Sequence, residues 1–436
     1  VGVRRNLNRL TEPERRRWVA AVKRMKADRA ADYNYDKFVH MHDRAQTGVQ
    51  RVAEIDANPA HGGPAFCPWH RYFITRFEHD LQLADRANGG DGRLTLPYWD
   101  WTNDHETTPN RQRGGLWADD FLGGNGNPVN SGPFRAGEWA TVPLPRGAQG
   151  TDLVRRMGSG GSTLPRDTDV RYALETEGFD CRPYGLDPGN NEQGIRAPSS
   201  PVLRGRPGGR LPAGQYRIVI TYLNGFGETR PSPETAITVS ADDQIIVSSP
   251  PPRAGAIGWR VYAGLAGAAA GTETLQGGTN AIGTPHALRE VVPGRPRPVV
   301  NETASFRALL EGWSVQPSGS EPAVHNQVHV FVGGSMVWGT SPNDPVFFLH
   351  HCNIDRLWAL WQFRHPGRNY PEEVPELGNP GVMRPHGIDA AMPPWTSAPE
   401  IVRPRDVLDH TRVRVLGRDA GCTYDTDPPG VAVDVG

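Results

Sequence analysis

Apolar residues recur at helical spacing along the first part of the chain. Trp18, Val19, Val22 and Met25 share one side of a helix. Thr11, followed by Glu12, Pro13 and Glu14, reads as its N-cap, with a proline in the first turn and a capping-box glutamate. A second run after Trp69, made of Tyr72, Phe73, Phe77, Leu81 and Leu83 broken by charges, predicts another helix. Residues 88–93 are glycine-rich and turn-like, and LTLPYWDW at 94–101 is extended or irregular because of its proline. Residues 110–165 are dense in Gly, Pro and Asn and read as long loops. Helical patterns resume at 167–177, at 303–313 with Phe306, Leu309 and Leu310 on one side, at 324–332 and at 346–362.

Residues 197–298 break that pattern. APSSP opens the segment and PGRPRP closes it, both linker-like. Between Gln215 and Leu223 the pattern alternates, with Tyr216, Ile218, Ile220 and Tyr222 facing one way. Further strands are expected at 235–239, 245–248 and 258–263, separated by Gly, Pro and Asp turns. Short strands spaced by such turns predict a small β-sandwich. The expected organisation is therefore a helical domain in two pieces, 1–196 and 299–436, around an insert at 197–298.

Composition narrows the function. The chain has 436 residues, and 47 Lys+Arg against 48 Asp+Glu give a net charge of −1. That balance argues against nucleic acid or another polyanion as a partner. Four scattered cysteines (Cys67, Cys181, Cys352 and Cys422) form neither a disulfide framework nor a CxxC zinc site. No apolar run is long enough to cross a membrane, and the polar, basic start shows no signal peptide. The expectation from this is a cytoplasmic protein, or one exported with a helper.

The fourteen histidines carry the chemistry. One group is His40/His42, His61 and His70; the other is His325, His329 and His350/His351. His325 and His329 are four apart, which on a helix stacks both imidazoles on one face. The His350/His351 pair lies inside the helix predicted at 346–362, and Asp355, one turn beyond His351, is placed to hold an imidazole tautomer. His70 opens a helix, His61 lies on the loop before it, and His42 ends an earlier helix. No carboxylate stands at ligand spacing, so a Glu-rich di-iron site is excluded. Imidazole-only sites suit copper or zinc better than magnesium or manganese.

The motifs HGGPAFCPWHRYFITRFEHDLQ, LTLPYWDWTND and AVHNQVHVFVGGSM…SPNDPVFFLHHCNIDRLWALWQ closely resemble the two copper-binding regions of tyrosinases. VRRNLNRLT and MPPWTSAPEIVRPRDVLDHT resemble the bacterial, Streptomyces-type branch. The likeness covers roughly 1–180 and 301–415. Within the insert, YRIVITYLNGFGETRPSP…GWRVYAG resembles fibronectin type III-like modules. The resemblance implies a mainly α fold: a tyrosinase-type four-helix bundle holding a dinuclear copper site, here with an inserted small β-sandwich.

It also implies roles for single residues. His42, His61 and His70 would bind one copper ion, and His325, His329 and His351 the other, with O2 as co-substrate. Monophenols would be hydroxylated ortho to the hydroxyl, and o-diphenols oxidised to o-quinones. The family's base is a water held by a glutamate and an asparagine, which here fall on Glu311 and Asn326. Trp338 stands where bacterial relatives carry smaller residues at the site entrance. The thioether-forming cysteine of fungal and plant members is replaced by Pro59. Cys67 and Cys352 are expected as buried thiols. A small phenolic substrate is implied, as is the copper-delivering helper protein of some bacterial relatives. Catechol oxidase or o-aminophenol oxidase activity without monophenol hydroxylation is the alternative, and an O2 carrier of the hemocyanin kind is a remote one.

Overall fold

The computed structural model describes residues 2–47, 50–52, 55–57, 60–103, 115–143, 151–176, 178–180, 197–224, 227–229, 231–253, 256–294, 297, 305–312, 323–366, 370 and 387–428. Its chain forms two compact units. One comprises Val1–Thr176, Phe306–Asn369 and Pro380–Gly436; the other comprises Glu177–Ser305 and Tyr370–Asn379.

The first unit is built on helices α1 (Glu12–Ala27), α2 (Asp36–Thr47), α3 (Phe66–Ala87), α4 (Asp167–Glu175), α5 (Phe306–Glu311), α6 (Val324–Val332) and α7 (Val346–Arg364). α1 starts at the expected capping box: Thr11 accepts from the Glu14 amide, and Glu14 accepts from the Thr11 amide at 2.8 Å. It buries Trp18, Val19, Val22 and Met25, as its spacing predicts. α3 and α7 are buried along almost their whole length, which marks them as the central helices of the unit. Aromatic rings lock them together: Phe77 stacks on Phe348 at a centroid distance of 3.5 Å, and Phe73 lies parallel to Phe348 at 5.9 Å. α2 packs on the same pair through Phe38, whose ring meets Phe73 and Phe77 edge-on.

The stretch expected as loops at 110–165 has no α-helix among its described residues, yet it is well packed. Arg155 holds it. Its guanidinium donates to the carbonyls of Leu122, Gly123 and Gly124 and forms a fully buried ion pair with Asp344 at 2.7 Å. Trp117, Phe121 and Trp139 are buried beside it.

The second unit has two antiparallel sheets. In one, Gly214–Asn224 pairs with Gly258–Ala263, with Thr235–Val239 and with Gly227–Glu228, and Thr274–Leu275 extends the edge. In the other, Asp243–Val247 lies between Leu203–Leu211 and His286–Leu288. One apolar cluster joins the two sheets: Tyr216, Ile218, Ile220 and Tyr222 pack with Trp259, Val261, Ile245, Val247 and Leu288. The four residues expected on one face of 215–223 are thus all in this core. The unit's limits, Glu177–Ser305, are wider than the segment 197–298 marked off by composition.

Candidate metal centre

Among the described residues, two groups of histidines could hold a metal ion: His42, His61 and His70, and His325, His329, His350 and His351. Within each group the ring nitrogens lie within 4.8 Å of one another. All six histidines expected as ligands are there. His40 is outside the groups, although it stands two residues from His42. His42 lies in the middle of α2 rather than at a helix end, because the helix runs on to Thr47. His61 precedes α3, and His70 is in its second turn. His325 and His329 are one turn apart on α6.

Backbone carbonyls orient the rings. His42 Nδ1 meets Gly339 O at 2.6 Å, His70 Nδ1 meets Phe66 O at 2.9 Å, and His329 Nδ1 meets Met336 O at 2.6 Å. A carbonyl only accepts, so each Nδ1 carries the proton and each Nε2 carries a lone pair. His42 Nε2 and His70 Nε2 are buried with no hydrogen-bond partner among the described residues. In the second group, His325 Nε2 faces His329 Nε2 at 3.0 Å and His351 Nε2 at 3.2 Å. His325 Nδ1 donates to Asn326 Oδ1 at 2.9 Å, which leaves its Nε2 lone pair facing that of His329. Facing lone pairs repel, and a cation bound by both removes the conflict. This donor set therefore fits a metal ion of the copper or zinc kind.

The two groups adjoin. The His70 and His351 rings are stacked at 4.4 Å, and His61 and His325 are 6.2 Å apart. Burial drives the His42 imidazole down to about 3 and that of His329 to about 4. Burial, with neighbouring imidazoles adding to it, holds His61, His70, His325 and His351 well below the ordinary value. All are neutral near pH 7, the form that binds metal.

Glu311 is buried at the end of α5, where it accepts from the Gly62 amide at 2.7 Å and from Arg307 at 2.8 Å. Its carboxylate thus fastens the loop carrying His61. Asn326 accepts from its neighbour His325 and donates to Gly312 O at 3.2 Å. Trp338 is 70% exposed. It lies in the segment 333–340, whose carbonyls at Met336 and Gly339 orient one histidine of each group. Gly334 allows that path: its φ is +55°, and a Cβ there would sit 2.2 Å from Val154 O.

Asp355 does not hold an imidazole. Its carboxylate accepts from Arg71 at 2.5 Å, Arg4 at 3.2 Å and the Tyr424 hydroxyl at 2.5 Å. The reason is charge: two buried guanidiniums outcompete a neutral ring for the one nearby carboxylate. Cys67, Cys352 and Cys422 are buried, and burial pushes the Cys352 thiol up. Pro59, Cys181 and the spacer 313–322 lie outside the described residues.

Several contributors had no sequence signal as functional residues. Phe347, which reads only as core, stacks on His351 at 4.0 Å. His350, half of the doublet that the sequence already put in the second group, does stand there, its ring parallel to that of His325 at 5.1 Å. The orienting carbonyls of Phe66, Met336 and Gly339 are backbone atoms, which no residue type announces.

Comparison with known proteins follows the same residues. The family model described as the common central domain of tyrosinase matches residues 32–174 and 274–364. A tyrosinase of Streptomyces lincolnensis is 30% identical over 434 residues, spanning 98% of this chain and 99% of that one. A tyrosinase of Streptomyces glaucescens is 29% identical over 432 residues, spanning 98% and 99%. A grixazone synthase of Streptomyces griseus is 31% identical over 422 residues, spanning 94% and 98%.

Proposed function

The chain belongs to the tyrosinase family, and on that premise we propose that its clustered histidines hold two copper ions which use O2 to oxidise small phenols. Copper-dependent oxidation of phenols is the activity of the protein. The observation that carries the finer reading is the run of three Nε2 atoms at 3.0 and 3.2 Å in one group, beside orphaned Nε2 atoms in the other. His42, His61 and His70 are assigned to one ion, and His325, His329 and His351 to the other. His350 stacks behind His325 as support. A bound copper pair supplies two one-electron steps and a place for O2. The α2, α3, α6 and α7 helices that bring the histidines together are read as the family's four-helix bundle. The two-sheet unit is read as an inserted β-sandwich, supported by the interruption of the family match between residues 174 and 274. Burial of His42, His70, His325 and His351 supports delivery of copper by a helper protein rather than by free ions.

The chain's own residues set the substrate's path. Trp338 offers an exposed aromatic face at the segment that orients His42 and His329, and its role is to stack on the incoming ring. Trp338→Ala is then expected to raise KM for catechol about fivefold with little change in kcat, because a stacking contact is worth ~1 kcal/mol. An unchanged KM removes Trp338 from the entrance. Glu311 and Asn326 are assigned to the phenol's proton, through a water they hold.

Monophenol hydroxylation followed by oxidation of the diphenol to an o-quinone is the first reading. The ion pair of Glu311 with Arg307 favours a second one. Both of its carboxylate oxygens already accept, one from Arg307 and one from the Gly62 amide, which leaves it less free to hold a proton-accepting water. Diphenols or o-aminophenols, which need less help with deprotonation, would then be the substrates. Copper-loaded protein supplied separately with tyrosine, catechol and o-aminophenol decides. Hydroxylation of tyrosine supports the first reading. Turnover of catechol or o-aminophenol without it selects the second.

A further inference from the structure

Of the 47 lysines and arginines, three are lysines (Lys23, Lys26 and Lys37), which leaves 44 arginines. The difference is chemical. A lysine that sheds its proton is a nucleophile, whereas a guanidinium keeps its proton at any working pH and has no free lone pair to attack with. An o-quinone is an electrophile for amines and thiols. The following therefore rests on the reading that the reaction releases o-quinones.

The three lysines differ in access. Lys26 is only 12% exposed and lies against aromatic rings, its Nζ 5.2 Å from the Trp139 centroid and 5.7 Å from that of Tyr35, and it is paired with Asp36. Lys37 is paired at 2.5 Å with Asp80, a carboxylate that is itself buried, so the ammonium is tied down against the protein. Lys23 has the most exposed side chain of the three, and its partner, Glu138 at 2.9 Å, is itself 44% exposed. Such a pair is screened and weak. Lys23 also lines an open groove of about 720 Å³ with Val19, Asp119, Pro133 and Glu138. The thiols of Cys67, Cys352 and Cys422 are buried. Burial raises those of Cys352 and Cys422, which keeps them from the reactive thiolate. The most exposed cations are instead arginines, such as Arg210, Arg412 and Arg414, whose side chains are 77%, 79% and 66% exposed.

We propose that the chain is built to survive its own product, and that Lys23 is the one side-chain amine left open to covalent capture of an o-quinone. The Lys23 nitrogen bonds to a ring carbon of the quinone. One proton from the nitrogen and one from that carbon pass to the two quinone oxygens. The ring returns to a diphenol that stays attached through nitrogen. The quinone is the only oxidant needed.

The test adds 4-methyl-o-benzoquinone, made by chemical oxidation, to the whole protein at pH 7 in a Cys181→Ser background. Adducts are mapped by peptide mass spectrometry. Because the quinone is supplied, the outcome does not depend on turnover, and loss of the phenol-oxidase reading would show separately in the substrate panel. Addition is expected at Lys23, and Lys23→Arg is expected to lower lysine adducts about tenfold. The triple variant Arg210→Lys, Arg412→Lys, Arg414→Lys is expected to raise them about fourfold, from one open amine to four. Lysine adducts as frequent at Lys26 or Lys37 as at Lys23, none at Lys23, or no rise in the triple variant would overturn the proposal.

Discussion

His70→Ala is expected to take up one copper ion per chain where the parent is expected to take two, and to oxidise catechol more than about a hundredfold more slowly. Changing a residue that merely supports a metal ligand already costs about 10–100-fold, and His70 is assigned as a ligand itself. Its ring is fixed on both sides. Nδ1 donates to Phe66 O one turn back, and the ring stacks on His351 of the other group at 4.4 Å. Removing it would leave only His42 and His61 of its group and open the contact between the two groups. His79→Ala is the control. That histidine lies on the same helix but contacts Asp80 instead, so copper uptake should stay at two. Equal copper content in His70→Ala and parent, measured by elemental analysis after dialysis, would remove His70 from the ligand set.

Asp355→Asn is expected to cost about 3–5 kcal/mol of stability, the usual penalty for breaking a buried ion pair from one side. Arg4 and Arg71 are fully buried, and Asp355 and Glu78 are their counter-charges. With Asp355 neutral, two buried cations would face one carboxylate. Arg71 also stacks over the Trp358 ring at 3.7 Å, so it cannot swing out to water without losing that contact. The cluster ties four parts of the chain together. Arg4 lies on the strand Gly2–Arg4, Arg71 and Glu78 on α3, Asp355 on α7, and Tyr424 on the strand Cys422–Tyr424 that pairs with Gly2–Arg4. Arg71 follows His70, and Asp355 is one turn beyond His351. Loosening the cluster is therefore expected to shift the two helices that carry His70 and His351. The pH profile gives a second readout. Burial pushes the Asp355 carboxyl up, but Arg71, Arg4 and the Tyr424 hydroxyl outweigh it and hold the group below its ordinary value. Its stabilising contribution is complete above the ordinary carboxylate value of about 4 and is lost as pH falls through the lower folded value. Urea unfolding should show a parent chain that loses stability below pH about 4, and an Asp355→Asn chain that lacks this part of the acid limb. A midpoint unchanged by the substitution at pH 7 would contradict the account.

Much of this was legible in the sequence, and the misses share a cause. The helices at 12–27, 324–332 and 346–364 follow from spacing and capping, because their apolar residues bury on one core. The histidine groups were legible because imidazole has few other reasons to recur on buried helices. Leu203–Leu211 was missed as a strand. LRGRPGGRL has no apolar alternation, since its backbone pairing with Asp243–Val247, bulged between Pro207 and Leu211, carries it instead. Asp355 was misassigned because spacing shows that it shares a helix with His351 but not that Arg4 arrives from 351 residues away. Glu311 was expected at the site from its motif, while its partners Arg307 and Gly62 emerge only in three dimensions. Local pattern reports which face of an element is apolar. It is silent on which distant charge closes over that face.

The most direct test of the central claim is titration of the metal-free protein with Cu(II), followed by electron paramagnetic resonance and elemental analysis. Two ions held by adjoining groups, with His70 and His351 in contact, are expected to couple magnetically. The account therefore expects two copper ions per chain and almost no Cu(II) signal at full loading. Binding of a single ion, or of two ions that each give the full signal of isolated Cu(II), would contradict it.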